Sequence, residues 1–415
     1  MTDTDTDTDT DHVAAQLQWI IEASVADPAP TASEIATHLA PTLLENGGSD
    51  SISTALASLG PLTMGRIHTR TADHMHASMH GRDIEILLDL TVSPTGLIDS
   101  LAATLVKPAP TSWAELDARL ATLAPRASFA AMEIRSDGHC ELIHGHEAEV
   151  PRPTGSAFKL YVLGALGQAV AQGSARWDEP LRIREDHRSP AGTMQYLPAG
   201  TEAPLSEYAD LMISLSDNTA TDHLLHRLGR EAVQRQLALF GHASPETNRP
   251  FPSTKAFFQF KFDPDSGDAH RYPRLSEPER LAMLERLEAR PLPDPRRIWP
   301  EPRFIDSIEW FASPADICRA YAGLASLDQP EIDHALSLGD AGIGLDRNRF
   351  PTVWYKGGQE PGVLTLQYLV RTKQGHGLVV ALLMSDPETA LDAIAPLAEG
   401  QALIRGAFDL MDDAG

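Results

Sequence analysis

Cysteine, positive charge and long apolar runs are all scarce in this chain, and each shortage excludes something. Two cysteines in 415 residues cannot build a disulfide framework. Cys140 and Cys318 could pair with each other; the expectation is two free, buried thiols. Lys and Arg number 34 against 58 Asp and Glu, a net charge of −24. So acidic a surface repels phosphate backbones and anionic lipid, so neither nucleic acid nor a membrane surface is an expected partner. No apolar run approaches the roughly 20 residues needed to cross a bilayer. The opening Thr-Asp repeat to Asp11 carries neither the positive charge nor the apolar stretch of a signal peptide, so a cytoplasmic protein is expected. With 42% hydrophobic and 22% charged residues, a folded core is available and wholesale disorder is excluded.

The length suits two domains. Residues 1–11 read as a disordered acidic tail. Residues 12–107 read as a small α+β domain. Ala14, Leu17, Ile20 and Ile21 recur at helical spacing, Ser33-Glu34-Ile35 opens a second helical run through Leu44 that Gly47-Gly48 ends, and a short helix covers Ser51 to Leu59. After Gly60-Pro61 four strands follow: Arg66–Thr71, His74–His80, Asp83–Val92 and Leu97–Val106. Ile84, Ile86, Leu88 and Leu90 alternate with polar residues, the period of a half-buried strand. His68, His74, His76 and His80 crowd one hairpin; a wet strand face explains them better than zinc, and no metal is expected there or at Cys140, His144 and His146.

Residues 108–111 form a Pro-rich linker. Ser112 followed by Glu115 marks a helix start and opens a domain over residues 112–415. Its pattern runs helix, two strands (Ser128–Arg135, Glu141–His146), a long helical middle, three strands (Thr352–Tyr355, Leu364–Arg371, Leu378–Met384) and a last helix. That order predicts an α+β fold: one antiparallel sheet, terminal helices on one face, and a helical subdomain inserted between strands. Asp263 to Pro302, rich in Pro, Asp and Arg, reads as an elaborated insertion.

Three short motifs carry chemistry. Ser156 and Lys159 sit three apart at the head of the apolar run Leu160-Tyr161-Val162-Leu163. A helix without a polar stripe is buried, and burial depresses a lysine's pKa until it can serve as a base for a neighbouring hydroxyl. Ser216-Asp217-Asn218 lies between two helical runs. Lys356-Gly357-Gly358 follows a strand end, where glycine lets a ligand approach the backbone. Each alone is as well explained by a cap, a snorkelling lysine or a glycine turn.

Together, in this order and context, the three resemble the penicillin-interacting serine hydrolases, and the class A β-lactamases most closely. Leu197-Pro198-Ala199-Gly200-Thr201 looks like that family's approach to its second motif. The resemblance covers roughly residues 111 to 412. It implies Ser156 as nucleophile, Lys159 as base or proton relay, and Ser216 as proton shuttle to the leaving group. Asn218 and Lys356 would bind substrate along with Gly358 and Gln359, and the backbone N–H groups of Ser156 and Gln359 would form the oxyanion hole. A small-molecule substrate and no cofactor are implied.

Two departures follow. The family's Glu-x-x-Leu-Asn loop, whose glutamate activates the deacylating water, is missing; the corresponding stretch runs from Glu246 to Lys255, and Glu246 is its nearest acid. Gly357 stands where the family has Thr or Ser, whose hydroxyl binds the substrate carboxylate. An esterase or acyl-transfer role with weak β-lactamase activity is therefore expected, or a binding protein without turnover. The helices-then-meander texture of residues 12–107 resembles the nuclear-transport-factor-2 and steroid-isomerase cone. A domain of that kind ahead of a class-A-like one resembles the clavulanic-acid-cluster β-lactamase-like esterase.

Overall fold

A computed structural model describes residues 11–41, 43, 52–53, 56, 61–81, 84–263, 267–291, 299–391 and 394–412. The acidic tail before Asp11, the Gly47-Gly48 stop, most of the helix expected over Ser51–Leu59, and parts of the Asp263–Pro302 insertion lie outside these residues. The chain divides into two compact units, residues 1–108 and 109–415.

In the first unit, helix α1 (His12–Ala23) is capped by Asp11, whose side chain accepts the Ala14 N–H. It buries Val13, Leu17 and Ile20 in one cluster with Ile86, Leu88 and Leu90. The second helical run is interrupted where its periodicity predicts one helix, and Pro41 and Leu43 are helical again beyond the break. α2 covers only Ala32–Ala36, under a capping box of Thr31 and Glu34. The chain then leaves the helix, and Leu39 forms a bridge to Ile98, so tertiary pairing overrides local propensity. Four strands, β1 (Thr63–Arg70), β2 (His74–Gly81), β3 (Ile84–Val92) and β4 (Ile98–Val106), form an antiparallel meander in the order β1-β2-β3-β4. Alternation sends Met75, Ala77 and Met79 into the core. On the other face His74 pairs with Asp89 at 3.2 Å and the His68 and His76 rings lie 5.2 Å apart.

The second unit is built on a six-stranded antiparallel sheet. Its strands are β5 (Arg126–Ile134), β6 (Cys140–His146), β7 (Thr352–Tyr355), β8 (Gly358–Glu360), β9 (Val363–Arg371) and β10 (Gly377–Ser385). The order is β7-β9-β10-β5-β6, with β8 also pairing β9. β7 and β8 thus make one edge, broken at Lys356-Gly357. Period-two alternation gives the sheet two apolar faces. On one face Phe129, Ala131, Leu366, Tyr368, Val380 and Leu382 pack against the terminal helices α3 (Trp113–Leu120) and α9 (Ala395–Asp412), through Leu116, Leu120, Leu403, Ile404 and Phe408. On the other, Ala130, Met132, Leu369, Val379 and Ala381 pack against the inserted helical region. Its members include α4 (Lys159–Ala171), α5 (Leu205–Ser214), α6 (Asn218–Leu228), α7 (Thr254–Phe262) and α8 (Pro314–Ser326). The α+β architecture is the one the element order predicts.

The cysteines correct an expectation. Cys140 at the head of β6 and Cys318 in α8 are not free thiols: they are disulfide-bonded, with Cα atoms 6.4 Å apart. The two elements are 178 residues apart in sequence and share one apolar cluster, so packing of α8 against the sheet brings the thiols together. Among the described residues no helix is long and apolar enough to cross a membrane.

Candidate active site

Ser156 sits in a 3-10 turn, Gly155–Phe158, that leads directly into α4 at Lys159. Three residues per turn stack side chains i and i+3, so the hydroxyl and the amine meet. Lys159 Nζ lies 3.2 Å from Ser156 Oγ, 3.0 Å from Ser216 Oγ, 2.5 Å from Ser216 O and 2.7 Å from Asn218 Oδ1. The lysine is wholly buried, and α4 is buried almost all round, as an apolar helix requires. No carboxylate among the described residues hydrogen-bonds the amine. Burial, and then the charge of Lys356, hold its pKa well below the usual lysine range, against the weaker pull of Asp217 and Asp222. A neutral Lys159 accepts the Ser156 O–H and can remove its proton.

Ser216 lies in the turn between α5 and α6. Its φ of +56° places a non-glycine residue in the left-handed region, a strained conformation held by its neighbours. Asp217 does the holding: one oxygen accepts Ala220 N–H at the head of α6, the other accepts Thr193 and Met194 N–H at 2.6 and 2.8 Å. Asn218 Nδ2 donates to Pro190 O at 2.7 Å, which turns its Oδ1 towards Lys159. Lys356 approaches from the sheet edge, with Nζ 3.1 Å from Ser216 Oγ and 2.7 Å from Gly357 O. Burial alone lowers the pKa of Lys356 to about 7. The Ser216 hydroxyl is thus flanked by two amines.

Gly358 and Gly155 let the β8 backbone run against the nucleophile's turn. A Cβ on Gly358 would stand 2.2 Å from Thr154 O and 2.6 Å from Ser156 N. One on Gly155, whose φ is +49°, would stand 3.0 Å from Gln359 N. The N–H groups of Ser156 and Gln359 therefore come close together, as an oxyanion hole needs. The seven residues singled out in the sequence gather at one cleft of about 930 Å³; six of them line it, and Lys159 lies just beneath.

Residues 117–289 match the family described as Beta-lactamase enzyme family. The chain is similar to the β-lactamase from Sphaerobacter thermophilus, at 20% identity over 73% of this chain and 98% of that one, with a TM-score of 0.50. The second unit has the β-lactamase fold. Similar structures include PBP-A, at 18% identity over 74% of this chain and 99% of that one with a TM-score of 0.48. A β-lactamase from Chitinophaga pinensis is another, at 17% identity over 73% and 98% with a TM-score of 0.49. No curated protein matches the sequence.

Among the described residues of the stretch from Glu246 to Lys255, no acid lines the cleft. Glu246 lies exposed in a 3-10 turn, Pro245–Asn248, away from the cleft. The wall here is instead the head of α7. Thr254 hydroxyl reaches Ser189 Oγ at 2.8 Å and Asn218 O at 3.2 Å, and Asp222 anchors the helix by accepting Thr254 and Lys255 N–H, each at 2.8 Å.

Sequence reasoning missed the far end of the cleft. Phe257, Phe258 and Phe262 of α7 line it with Trp299 and Trp310. Trp310 stacks on Phe158 at 3.7 Å and its carbonyl accepts Thr154 N–H at 2.9 Å, which ties this wall to the nucleophile's turn. Beside it lie two buried acids, Glu309 and Glu360. Glu360 pairs with Lys261 at 2.9 Å. Burial first, and then the charge of Glu360, hold the Glu309 carboxyl well above the usual carboxylate range. The density of Phe from 257 to 262, in a chain with 6% aromatics, was the available signal.

Proposed function

We propose that the second unit is a serine hydrolase that forms an acyl-enzyme on Ser156, acting on ester or β-lactam-related substrates with weak β-lactamase activity. The observation that carries this reading is the unbroken path Ser156 Oγ–Lys159 Nζ–Ser216 Oγ, with steps of 3.2 and 3.0 Å. In acylation, Ser156 Oγ attacks the substrate carbonyl carbon while its proton passes to Lys159 Nζ. The carbonyl oxygen gathers negative charge against the N–H groups of Ser156 and Gln359. As the tetrahedral adduct collapses, the proton moves through Ser216 Oγ to the leaving oxygen or nitrogen, and the acyl group stays on Ser156. Lys356 orients Ser216 and, with Asn218, Gly358 and Gln359, holds the substrate.

A second reading, a ligand-binding protein that turns over slowly, has one observation in its favour: no carboxylate among the described residues contacts Lys159. The four-stranded meander with α1 packed on it supports reading the first unit as a cone-like domain of the nuclear-transport-factor-2 kind, and the whole as resembling the clavulanic-acid-cluster esterase. The expected cytoplasmic residence has the disulfide against it, because paired cysteines persist in oxidising compartments.

The test is release of p-nitrophenol from its acetate ester, together with intact-mass measurement after β-lactam exposure. Steady release that Ser156→Ala abolishes, and an adduct on Ser156 that outlasts the assay, support the hydrolase. A Ser156→Ala rate equal to wild type refutes it, and nitrocefin turnover at a resistance enzyme's rate refutes the weak-β-lactamase part.

A further inference from the structure

Gly357 leaves more than a gap. A Cβ at this position would stand 2.1 Å from Tyr355 Oη and 2.9 Å from its Cζ, so no side chain fits while Tyr355 keeps its place. The volume that a threonine or serine would fill at position 357 is already occupied by a phenol hydroxyl, sent forward from the last residue of β7. The ring is held there: it packs on the Tyr368 ring at 4.6 Å between centroids, and Tyr368 is itself fixed by donating to Asp340 O at 3.1 Å. Tyr355 lines the cleft, and among the described residues its hydroxyl makes no hydrogen bond. Burial raises its pKa, so the phenol keeps its proton and remains a donor.

The surroundings select the ligand. Ala341, Leu366 and Leu397 line the cleft with Tyr355 and are apolar. No arginine lines it; Lys356 is its one lining cation among the described residues, and that amine loses its charge as pH rises through about 7. Above pH 7, where Lys356 is largely neutral, an anion placed here would lose its water to an apolar wall and neutral donors, a poor exchange. An uncharged carbonyl loses much less and gains the phenol's hydrogen bond.

We infer that Tyr355 is a specificity-determining residue that stands in for the hydroxyl missing at position 357, and that it selects substrates presenting an uncharged ester or amide carbonyl over those presenting a carboxylate. This rests on the acyl-enzyme reading for its setting and narrows the substrate class within it. One neutral hydrogen bond corresponds to a roughly 3- to 10-fold preference.

The probes are a cephalosporin free acid and the methyl ester of its ring carboxylate. Two arms read the ester-to-acid ratio: acylation of wild-type Ser156 by intact mass, and equilibrium binding to Ser156→Ala. Wild type is expected to favour the ester. Tyr355→Phe should lower the ratio about 3- to 10-fold. A structural role alone would shift both probes equally and leave the ratio unchanged; that result overturns the inference, as does a wild-type preference for the acid. If wild type shows no adduct with either probe, the hydrolase reading falls, and the binding arm still decides the role of Tyr355.

Discussion

Replacing Lys356 with methionine should make the second unit more stable while disabling its site. The residue is 3% exposed, and among the described residues its amine meets only Ser216 Oγ and Gly357 O, with no carboxylate to offset lost hydration. Its pKa falls from 10.5 to about 7 on burial. A fall of roughly 3.5 at about 1.4 kcal/mol each means that holding the charged amine in place costs about 5 kcal/mol. The sign follows from the depressed lysine: the unfolded chain binds the proton more tightly. The full cost therefore applies below pH 7 and is relieved as pH rises towards 10.5. Between pH 6.5 and 9 this one group should add roughly 2 to 3 kcal/mol to wild-type stability. Methionine keeps the stem and removes the charge, but it leaves Gly357 O without a donor, at about 1–3 kcal/mol. Lys356→Met should thus exceed wild type by about 2–3 kcal/mol at pH 6.5, about match it at pH 9, and acylate Ser156 far more slowly. Urea unfolding followed by tryptophan fluorescence reads this, since all the tryptophans except Trp19 lie in the second unit. A variant less stable than wild type at pH 6.5, with an unchanged pH slope, would refute the claim that burial of this charge opposes folding.

Glu309 should give the opposite slope: its raised pKa means that the folded state holds a proton the unfolded chain releases, so stability falls as pH rises above the ordinary carboxylate range. Glu309→Gln, which keeps the shape and cannot ionise, should remove that fall in the same unfolding assay. Gly358→Ala should slow acylation of Ser156 about 100-fold, because the new Cβ meets Thr154 O at 2.2 Å and Ser156 N at 2.6 Å; Gly339→Ala, with nothing within 4 Å, should leave the rate unchanged. Reducing the Cys140–Cys318 bond should lower the stability of the second unit by up to about 5 kcal/mol on the chain-entropy account of a 178-residue span, and thiol titration of the denatured protein should find no free thiol before reduction.

The parts legible in the sequence were those written in short stretches. Ser156 and Lys159 are three residues apart, and the apolar run behind them announces a buried helix. The central strands of the second unit are short, nearly continuous apolar runs, the mark of strands covered on both faces, so their sheet and its two covering layers could be read from element order. Features made by distant segments were not legible. Cys140 and Cys318 meet only because α8 packs on the sheet. Lys261, Glu309 and Glu360 come from three separate segments, and nothing in their spacing announces that they are buried together. Gly357 was legible as a lost hydroxyl. That Tyr355, two residues earlier, refills the same volume depends on a ring orientation fixed by Tyr368, thirteen residues on and across the strand pair. In the first unit the helical period beyond Ala36 is interrupted by the Leu39–Ile98 bridge, and helix returns at Pro41 and Leu43.

The arrangement around Lys159 bears on which substrates such a site could process. On the proposed acyl-enzyme reading a single amine takes the Ser156 proton in acylation, and with no carboxylate among the described residues against it the same amine would have to activate water in deacylation. It can do the second only after passing its first proton on. Ser216 offers that exit, since its hydroxyl lies 3.0 Å from Lys159 and 3.1 Å from Lys356. When an ester is cleaved, the departing alkoxide takes this proton and diffuses away, so Lys159 is neutral again when water arrives. When a β-lactam is opened, the amine that takes the proton stays tethered to the acyl group and remains in the cleft, where it obstructs the approach of water. The same three side chains would then complete a cycle on an ester and stall on a lactam. That asymmetry follows from the absent carboxylate and from the leaving group's tether, with no difference in binding required.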